Sequence, residues 1–432
     1  MSPQQFCTHS PPKRVELTEM GRSGEFSRCA AERSLIGFGY GSTHHPTAQR
    51  RSAERLMSER VLVVGGGVAG FGAARALSLR GVPYTLVERL ETPPPTSVLG
   101  INLPGNAVRA LDALGVGDEA VRSGRPIVRR EYRTSSGRLL FDVDERDFWK
   151  GVASSVCLRR STLLDLLRAG TDPATVRWGN PLVRAESAGA TVRVRLGNGA
   201  AEAFGFVVGA DGVHSTTRGA VTGEAGLQPS RMSSASWRFQ APNPGVACWT
   251  AWTGRDGTFL LIPIDDKHVY GYASTTRRGA AIDNPDWLAN TSRAFPAPVR
   301  DAVDAALTHP GRPYHSPVEV VRAERWSLGR IALIGDAAHS MGPVWAQGAG
   351  LALEDALVLA GLLAERSDWT VVGAEFERLR RPRVELVEAA TERLSRLAGL
   401  PIWLRNLVGP VLGPRTYQEA YGPLRAPLSS TV

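Results

Sequence analysis

Lysine is scarce in this 432-residue sequence. Lys13, Lys150 and Lys267 are the only lysines, so arginine carries almost all of the positive charge behind the formal net charge of +9. The arginines are scattered among acidic residues, and the one dense basic run, residues 378–383, lies in a helical pattern beside two glutamates. A nucleic-acid-binding surface usually concentrates its basic residues in one patch. The sequence therefore predicts no nucleic-acid partner.

Cysteine is scarce as well. Cys7, Cys29, Cys157 and Cys248 show no Cys-x-x-Cys spacing, and no histidine pair accompanies them at the spacing of metal ligands. We therefore predict no metal ion. This cysteine usage fits the reducing environment of the cytoplasm, which is the location we expect.

Long apolar runs are absent. No segment approaches the ~18 apolar residues that a membrane-spanning helix needs, and the N-terminus begins with polar residues rather than the apolar core of a secretory signal. The apolar stretch 400–412 (LPIWLRNLVGPVL) either packs on the protein as a helix or lies on a membrane surface. We expect packing, and hence no membrane contact.

The chain changes character along its length. Residues 1–58 lack helical or strand periodicity, which predicts a disordered extension. Residues 61–87 then follow the pattern strand, glycine-rich turn, helix, strand, as in a buried parallel sheet flanked by helices. Strands and aromatic residues dominate 229–319, and long helical patterns occupy 348–365 and 371–398.

A Gly65-x-Gly67-x-x-Gly70 motif follows the first strand and opens the first helix. The first glycine permits a tight turn, the second lets the backbone approach a pyrophosphate, and the third lets helix and strand pack closely. The helix N-terminus offers amide donors and a partial positive charge to phosphates. Glu88 ends the second strand, where a carboxylate accepts the ribose hydroxyls and disfavours a 2′-phosphate. These features predict FAD or NAD, rather than NADP, in this pocket.

Two further motifs follow later strands. Residues 209–218 (GADGVHSTTR) come after the strand 206–208, and residues 334–339 (IGDAAH) come after a strand that begins at Ile331. In this order, the three motifs resemble the three fingerprints of the group A flavoprotein monooxygenases, the p-hydroxybenzoate hydroxylase-like family. The resemblance covers roughly residues 59–400, most of the chain.

The resemblance implies an α/β fold in which a Rossmann-type FAD-binding lobe is interleaved with a β-rich substrate lobe. The implied segments are 59–127, 155–228 and 320–395 for the FAD-binding lobe, 128–154 and 229–319 for the substrate lobe, and 396–432 for a C-terminal helical tail. It also implies one FAD, NADPH or NADH as reductant, O2 as oxidant and a small organic substrate. No second GxGxxG motif is present, as this family leads one to expect.

The implied reaction inserts one oxygen atom from O2 into an aromatic ring or an electron-rich alkene through a flavin C4a-hydroperoxide, by hydroxylation or epoxidation, for example in secondary metabolism. Two alternatives remain: a related flavin halogenase or dehydrogenase, and a non-catalytic flavin redox sensor. The halogenase signature WxWxIP is absent, and Pro343 and Gln347 speak against a sensor. Neither the substrate nor the oligomeric state follows from the sequence.

The resemblance also marks residues that would contact the cofactor. Asp336, at the end of a strand, would bind the ribityl hydroxyls, with capping of the following turn as the alternative. Asp211 would lie near the pyrophosphate and the NADPH path, and Arg160 near the ribityl–phosphate region, with a plain contact to a neighbouring carboxylate as its alternative. The helix beginning at Gly348 would point its N-terminus at the flavin edge where negative charge gathers on reduction. The full set is Gly65, Gly67, Ala69, Gly70, Glu88, Arg89, Arg160, Asp211, Asp336, Gln347, Gly348 and Ala349.

The loop after the third motif departs from the family pattern of two prolines, Gly-Gln-Gly and an asparagine. Residues 342–350 read GPVWAQGAG. Pro343 is expected to line the space where oxygen is transferred. Gly342 is expected to loosen that wall and Gly350 to remove a side chain that would tie down the helix start, whereas Ala346 is a mild change.

The residues that recognise the substrate are less clearly marked. Arg238 aligns with an arginine that several relatives use on acidic or polar substrates, so we predict a catalytic role for it together with Pro343; a surface salt bridge is the alternative. The aromatic residues of 229–319, together with Met341 and Trp345, either line an apolar pocket or form core.

Overall fold

The computed structural model describes residues 60–93, 99–223, 228–229, 233, 235–276, 282–309 and 311–428. The extension predicted over residues 1–58 lies outside this range. The strands are β1 (Val61–Val64), β2 (Tyr84–Val87), β3 (Gly100–Leu103), β4 (Arg125–Pro126), β5 (Arg129–Thr134), β6 (Leu139–Asp144), β7 (Val156–Arg159), β8 (Val176–Arg177), β9 (Leu182–Ala188), β10 (Thr191–Leu196), β11 (Ala201–Phe204), β12 (Phe206–Gly209), β13 (Gln228–Pro229), β14 (Ala235–Pro242), β15 (Trp249–Thr253), β16 (Gly257–Pro263), β17 (His268–Thr275), β18 (Tyr314–Pro317), β19 (Glu319–Val320), β20 (Ser327–Leu328) and β21 (Ile331–Leu333).

The helices connect and cover these strands. They are α1 (Val68–Leu79), α2 (Gly105–Ala113), α3 (Gly117–Arg122), α4 (Glu145–Phe148), α5 (Arg160–Arg168), α6 (Thr216–Thr222), α7 (Pro285–Ser292), α8 (Ala297–Thr308), α9 (Asp336–His339), α10 (Gly348–Glu365), α11 (Val372–Ala398) and α12 (Ile402–Tyr421), with 3₁₀ turns η1 (Pro173–Thr175), η2 (Pro343–Trp345) and η3 (Gly422–Arg425).

A six-stranded sheet in the order β20-β21-β12-β1-β2-β8 carries the three motifs; we call it the parallel sheet. Strand β1 pairs in parallel with β12 and β2, and β12 pairs in parallel with β21. Every residue of β1, β2 and β12 is buried, because a parallel sheet is covered by helices on both faces. The register places Val64, Gly209 and Leu333 side by side. All three motifs therefore begin at the same edge of the sheet.

A second sheet, in the order β18-β14-β17-β16-β15-β5-β6, forms the other large layer; we call it the seven-stranded sheet. Side chains alternate between its two faces. On one face Trp237, Phe239 and Phe259 form a core with residues of α7 and α8. On the other face lie Arg238 and Tyr272, which are direct cross-strand partners. The aromatic residues of 229–319 thus divide between core and a face that is free of α7 and α8.

Smaller sheets complete the fold. Strand β7 pairs with β3 and β4, and β10 pairs with β9 and β11. Helix α11 runs to Ala398, so the predicted boundary between residues 395 and 396 falls inside a helix.

Helix α12 begins at Ile402, includes the rest of the apolar stretch 400–412, and packs against β6 and α11. Its other side leaves Trp403, Leu407 and Val411 exposed. In the described part of the chain, no helix combines the length and the apolar character that crossing a membrane requires.

A buried carboxylate joins the third motif to the helices behind it. Asp355 on α10 accepts hydrogen bonds from the Gly335 main chain at 3.0 Å and from Arg380 Nε at 2.7 Å, and His339 Nε2 lies 2.7 Å away. Burial would raise the pKa of Asp355, but His339 and Arg380 lower it to about 2. His339 is therefore a structural residue in this fold.

The basic run of residues 378–383 takes part in the same network of buried charges as Asp355. Arg380 and Arg383 of α11 both bind Glu354, at 2.9 Å and 2.7 Å, and Arg380 and Glu354 are fully buried. Burial acts to raise the pKa of Glu354, yet the two arginines lower it overall. A run that could attract phosphate instead neutralises acids inside the protein.

Asp355→Asn should reduce the free energy of unfolding at neutral pH by about 3 kcal/mol, because it removes one of the two acidic partners of the buried Arg380 and the carboxylate beside His339. The folded-state pKa of Asp355 lies below the unfolded value, so its stabilisation is fully present above about pH 4 and disappears as the pH falls toward 2. The variant should therefore lose less stability than the wild type between pH 5 and about pH 3. Denaturant unfolding at several pH values measures both effects. Glu119→Gln, which breaks an exposed pair with Arg122, is the control and should leave the midpoint unchanged. A loss below about 1 kcal/mol would contradict the network's structural role.

Candidate active site

The turn between β1 and α1 has the geometry of a phosphate-binding turn. Gly65 has φ of 104°, and a Cβ there would lie 2.5 Å from the carbonyl oxygen of Ala210. A Cβ on Gly70 would lie 1.8 Å from the carbonyl oxygen of Gly65. At Gly67 a Cβ would meet no atom within 4 Å. Two glycines are thus required by the close packing, and the middle one borders open space at the N-terminus of α1.

Glu88 at the end of β2 braces this turn. Its carboxylate accepts the Gly66 main-chain N–H at 2.5 Å and that of Leu90 at 3.0 Å. The side chain is half-buried, and the neighbouring Arg89 is exposed. The acid is therefore fixed beside the glycine motif, where the sequence predicted it.

The third motif meets the start of α10 at the same edge. Gly335 has φ of 57°, and a Cβ there would lie 3.1 Å from Cβ of Ala69 in the first motif. The next residue, Asp336, begins α9. A Cβ on Gly348 would lie 3.8 Å from Oδ1 of Asp336. The structure therefore brings Ala69, Asp336 and Gly348 together, although 279 positions separate the first from the last (348 − 69).

We infer that Asp336 lies in a concave surface, which we call the cleft. Its side chain is accessible to solvent, yet the surrounding protein desolvates the carboxylate and raises its pKa. Both observations hold for a group at the bottom of a concave surface. The positive charges of Arg160 and Arg238, with His339, oppose the rise.

Two guanidinium groups face this carboxylate from different elements. Arg160 begins α5, and burial, together with repulsion from Arg238, lowers its pKa while Asp336 acts in the other direction. Within the described ranges, neither Arg160 nor Arg238 forms a hydrogen bond or an ion pair through its side chain. The surface salt bridge that was the alternative for Arg238 is therefore not formed among these residues. Two unneutralised cations beside one acid leave the cleft electropositive.

Arg238 lies in a row of tyrosines. Tyr272 and Tyr314 are its cross-strand partners on β17 and β18, and such partners share one face of a sheet. On the same face Tyr270 packs on β3, since a Cβ on Gly100 would lie 2.5 Å from its ring. Burial raises the pKa of Tyr272, so its hydroxyl is neutral. Tyr272 and Tyr314 were not predicted as site residues, although their polar tips on strands next to Arg238 were a usable signal.

The loop formed by residues 342–346 connects α9, which begins at Asp336, to α10, which begins at Gly348. Pro343 begins η2 and is exposed. Gly342 has φ of −57° and ψ of 145°, an extended conformation that any residue adopts. Ala346 has φ of 52° and is, among the described residues, the only non-glycine residue with positive φ. This conformation costs an L-residue roughly 1 kcal/mol, a strain that glycine would avoid; that Ala346 is a mild change stays a prediction.

The start of α10 is tied down from another helix. Asn106 of α2 and Gln347 exchange two amide hydrogen bonds of 3.0 Å, and Asn106 also donates to Glu354 at 3.1 Å. A Cβ on Gly350 would lie 3.3 Å from the Asn106 amide nitrogen. The expectation that Gly350 loosens the helix start is therefore wrong, because Asn106 fills that place. The Gln347 side chain points inward, so only its main chain can face the cleft.

Asp211 lies beside the first motif, and its carboxylate is engaged. It accepts hydrogen bonds from Ser215 Oγ at 2.5 Å, and from the main chain and hydroxyl of Thr217 at 2.9 and 3.1 Å. A Cβ on Gly65 would lie 2.9 Å from Cα of Asp211. The acid thus shapes the turn before α6 and holds it against the glycine motif.

A separate open depression of about 590 Å³ lies between β20 and α11. Its charged lining includes Arg325, Arg378 and Arg381, and Arg381 already pairs with Glu377. No motif residue lines it, so we assign the site to the cleft at Asp336. Within the described ranges, no three histidine, cysteine or acidic side chains are grouped as a metal site would need.

Comparison with known proteins agrees with this geometry. A family profile described as "FAD binding domain" matches residues 58–389. The 2-heptyl-3-hydroxy-4(1H)-quinolone synthase of Pseudomonas aeruginosa is 30% identical over 360 residues, covering 80% of this chain and 92% of the relative. The FAD-dependent urate hydroxylase of Klebsiella oxytoca is 29% identical over 351 residues, covering 77% and 89%. The crystal structure of Klebsiella pneumoniae HpxO complexed with FAD and uric acid matches with a TM-score of 0.76 at 24% identity, covering 86% and 98%.

The structural match confirms the predicted fold class, an FAD-binding α/β lobe interleaved with a β-rich lobe. The profile spans most of the chain, and the quinolone synthase matches four fifths of it. These matches also confirm FAD as the cofactor and oxidoreductase chemistry, with NAD(P)H as the reductant typical of the family. The chain therefore belongs to the FAD-binding-domain family of group A flavin monooxygenases, and it is an FAD-dependent monooxygenase.

Proposed function

We propose that this monooxygenase hydroxylates a flat aromatic or heteroaromatic compound that carries an ionisable or carbonyl oxygen. The observation that carries the proposal is the pair of unpartnered guanidinium groups, Arg160 and Arg238, beside a face lined with tyrosines. A buried or half-buried cation without a partner is costly unless a ligand supplies negative charge. The tyrosine rings and neighbouring apolar side chains offer a flat surface for an aromatic ring.

The residues at the edge of the parallel sheet fit FAD. The open space at Gly67 suits a pyrophosphate at the N-terminus of α1, and Glu88 suits a ribose. Asp336 suits the ribityl hydroxyls, and the first-turn amides of Gly348 and Ala349 suit the flavin edge that gains negative charge. The remaining members of the proposed cofactor set are Gly65, Ala69, Gly70, Arg89, Arg160, Asp211 and Gln347.

When bound, FAD accepts electrons from NADPH or NADH and activates O2 for transfer of one oxygen atom to the substrate. The side chains of this chain supply binding, orientation and exclusion of water. Arg238 holds the substrate oxygen and favours its anionic form, which enriches the ring in electrons. Tyr272 stays neutral and can donate one hydrogen bond. Pro343 limits the approach of water from the loop side.

The names of the relatives support the same substrate class. They are a 2-heptyl-3-hydroxy-4(1H)-quinolone synthase, a 3-amino-4-hydroxybenzoate 2-monooxygenase and a urate hydroxylase. Each of these names contains a planar ring with oxygen substituents. An alkene without such a group would leave Arg238 unneutralised, so hydroxylation is favoured over epoxidation.

We also propose that segments 59–127, 155–228 and 320–395 hold FAD and that 128–154 and 229–319 hold the substrate. Support comes from β5, which pairs with β15, a strand far from it in sequence, and from β6, which pairs with β5; both strands thereby join the seven-stranded sheet. A cytoplasmic location is proposed as well. It is supported by the free thiols of Cys157 and Cys248 and by the need for NAD(P)H.

The proposal is tested with the FAD-loaded protein and a panel of 4-quinolones, hydroxybenzoates, uric acid and a plain alkene. Substrate-stimulated NAD(P)H oxidation is recorded, and products formed under oxygen-18 gas are analysed by mass spectrometry. We expect one labelled oxygen atom in an oxygen-substituted ring. Labelling of the alkene alone would favour epoxidation, and no labelling of any compound, with flavin reduction intact, would contradict the substrate class.

Asp336→Ala should weaken FAD binding by about 10- to 100-fold, the loss expected for a hydrogen-bonding carboxylate. Flavin fluorescence titration of the apoprotein measures the change. Asp266→Ala, which removes an exposed acid that pairs with Arg125, is the control and should bind FAD like the wild type. Unchanged affinity in Asp336→Ala would remove Asp336 from the cofactor site.

Arg238→Met should raise KM for an oxyanion-bearing substrate by about 10- to 100-fold, since a charged hydrogen bond is lost. The FAD dissociation constant should change by less than about twofold. Arg193→Met, on the exposed side of β10, is the matched control. If KM stays the same while only FAD affinity falls, Arg238 serves the cofactor and not the substrate.

Gly342→Pro should lower the peroxide released per NADPH consumed and narrow the range of substrates accepted. The φ of −57° suits proline, and the Gly342 N–H donates no main-chain hydrogen bond in the described structure. Two consecutive prolines would restrict the loop beside the cleft. A peroxide assay run in parallel with NADPH oxidation gives the ratio for both forms. Equal ratios and equal substrate ranges would show that Gly342 is a neutral substitution.

A further inference from the structure

We propose that Tyr421, at the end of α12, is a positioning residue that fixes the 342–346 loop through the main-chain carbonyl of Trp345. The inference rests on the proposed function in one respect, namely that Pro343 in this loop borders the reaction cleft. It assigns a role in oxygen-transfer coupling to the C-terminal helix, which none of the three motifs includes.

The contact between Tyr421 and the loop is direct and buried. The Tyr421 hydroxyl donates to the carbonyl oxygen of Trp345 at 2.6 Å, and 76 positions separate the two residues. The two rings also meet edge to face, with centroids 5.6 Å apart and planes at 89°. Trp345 closes η2 two residues after Pro343. Movement of this carbonyl would therefore move the part of the loop that carries Pro343.

A buried charge network holds the Tyr421 hydroxyl in place. Arg130 of β5 donates to it at 3.1 Å and forms an ion pair with Glu145. Glu145 also accepts hydrogen bonds from Tyr417 and, at 2.6 Å, from Ser155. Arg130 Nε lies close to Glu145 without hydrogen-bond geometry, so that contact is an ion pair alone. All five side chains are buried.

The chemistry of Arg130 sets the direction of the hydrogen bond. A guanidinium has only donors, so the Tyr421 oxygen must accept from Arg130 and its own proton must point to Trp345. Burial raises the pKa of Tyr421, which keeps this proton in place. The hydrogen bonds therefore have one arrangement, in which the Trp345 carbonyl accepts from the Tyr421 hydroxyl.

Hydrogen bonds from two arginines hold the segment that follows Tyr421. Arg109 of α2 donates to the carbonyl oxygens of Leu424, Arg425 and Ala426 at 3.1, 2.7 and 2.6 Å. Arg383 of α11 donates to the Leu424 carbonyl at 2.9 Å. Arginines from two helices thus hold η3 and Ala426, which directly follow α12, against α2 and α11.

The loop needs an external support because its own sequence is permissive. Gly342 stands where the family pattern has a first proline, and Ala346 holds a left-handed conformation that is unfavourable for alanine. Without the hydroxyl of Tyr421, the Trp345 carbonyl would lose its buried partner. The loop would then open more often, and water would reach the cleft.

The test compares Tyr421→Phe with Tyr417→Phe in the FAD-loaded protein. Both variants remove one buried hydroxyl from the same helix and network, but only Tyr421 contacts the loop. Hydrogen–deuterium exchange of the peptide 341–347 should be about threefold or more faster in Tyr421→Phe, and near wild type in Tyr417→Phe. Peroxide released per NADPH should rise by a similar factor in Tyr421→Phe alone, with the FAD dissociation constant unchanged.

Gly342→Pro added to Tyr421→Phe should restore slow exchange and low peroxide release, because it stiffens the loop by a separate route. This rescue distinguishes loop positioning from a general loss of stability, which proline at residue 342 would not repair. Equal exchange of the 341–347 peptide in both tyrosine variants would overturn the proposal. Hydrogen–deuterium exchange is measured without turnover, so its result does not depend on whether any substrate is oxygenated. The exchange experiment therefore tests this proposal even if the proposed function is wrong.

Discussion

The buried carboxylate of Asp355 holds the edge of the parallel sheet on which the cofactor site depends. It binds the main chain of Gly335, the ring of His339 and the guanidinium of Arg380. These three groups belong to the third motif and to α11, so one side chain on α10 fixes the turn from which Asp336 projects. A buried charge of this kind persists only when each neighbour is in place. The geometry of the site and the stability of the fold therefore rest on the same contacts.

Two positively charged side chains at the cleft lack an acidic partner among the described residues. Arg160 and Arg238 face the cleft without an ion pair in the described structure, whereas Arg380 and Arg383 are fully neutralised. Arg380 and Arg383 therefore stabilise the fold, whereas Arg160 and Arg238 are proposed to bind ligands. The proposed cofactor edge holds Arg160, the tyrosine face holds Arg238, and Arg238 selects an oxygen-bearing ring.

The strongest features of the fold were predictable because they are local. Spacing alone located Gly65, Gly67 and Gly70, since each glycine answers a steric demand within a few residues, and it located Glu88. The amide pair between Asn106 and Gln347 joins positions 241 apart, and no periodicity in the sequence reports such a contact.

Strand register was a second feature that the sequence alone could not predict. The face on which Arg238 lies depends on pairing across β14, β17 and β18, so its tyrosine neighbours emerged only from the structure. For Asp211 the limit was different: the motif marked the residue, and only the structure shows that Ser215 and Thr217 use its carboxylate.

The central claim is that one FAD binds non-covalently at the sheet edge. Its most direct test is the visible absorption spectrum of purified protein, read as the molar ratio of flavin to chain before and after heat denaturation. The account predicts a ratio that approaches one on FAD titration, with all flavin released on denaturation; protein that takes up no FAD, or flavin that stays attached to the denatured chain, would contradict it.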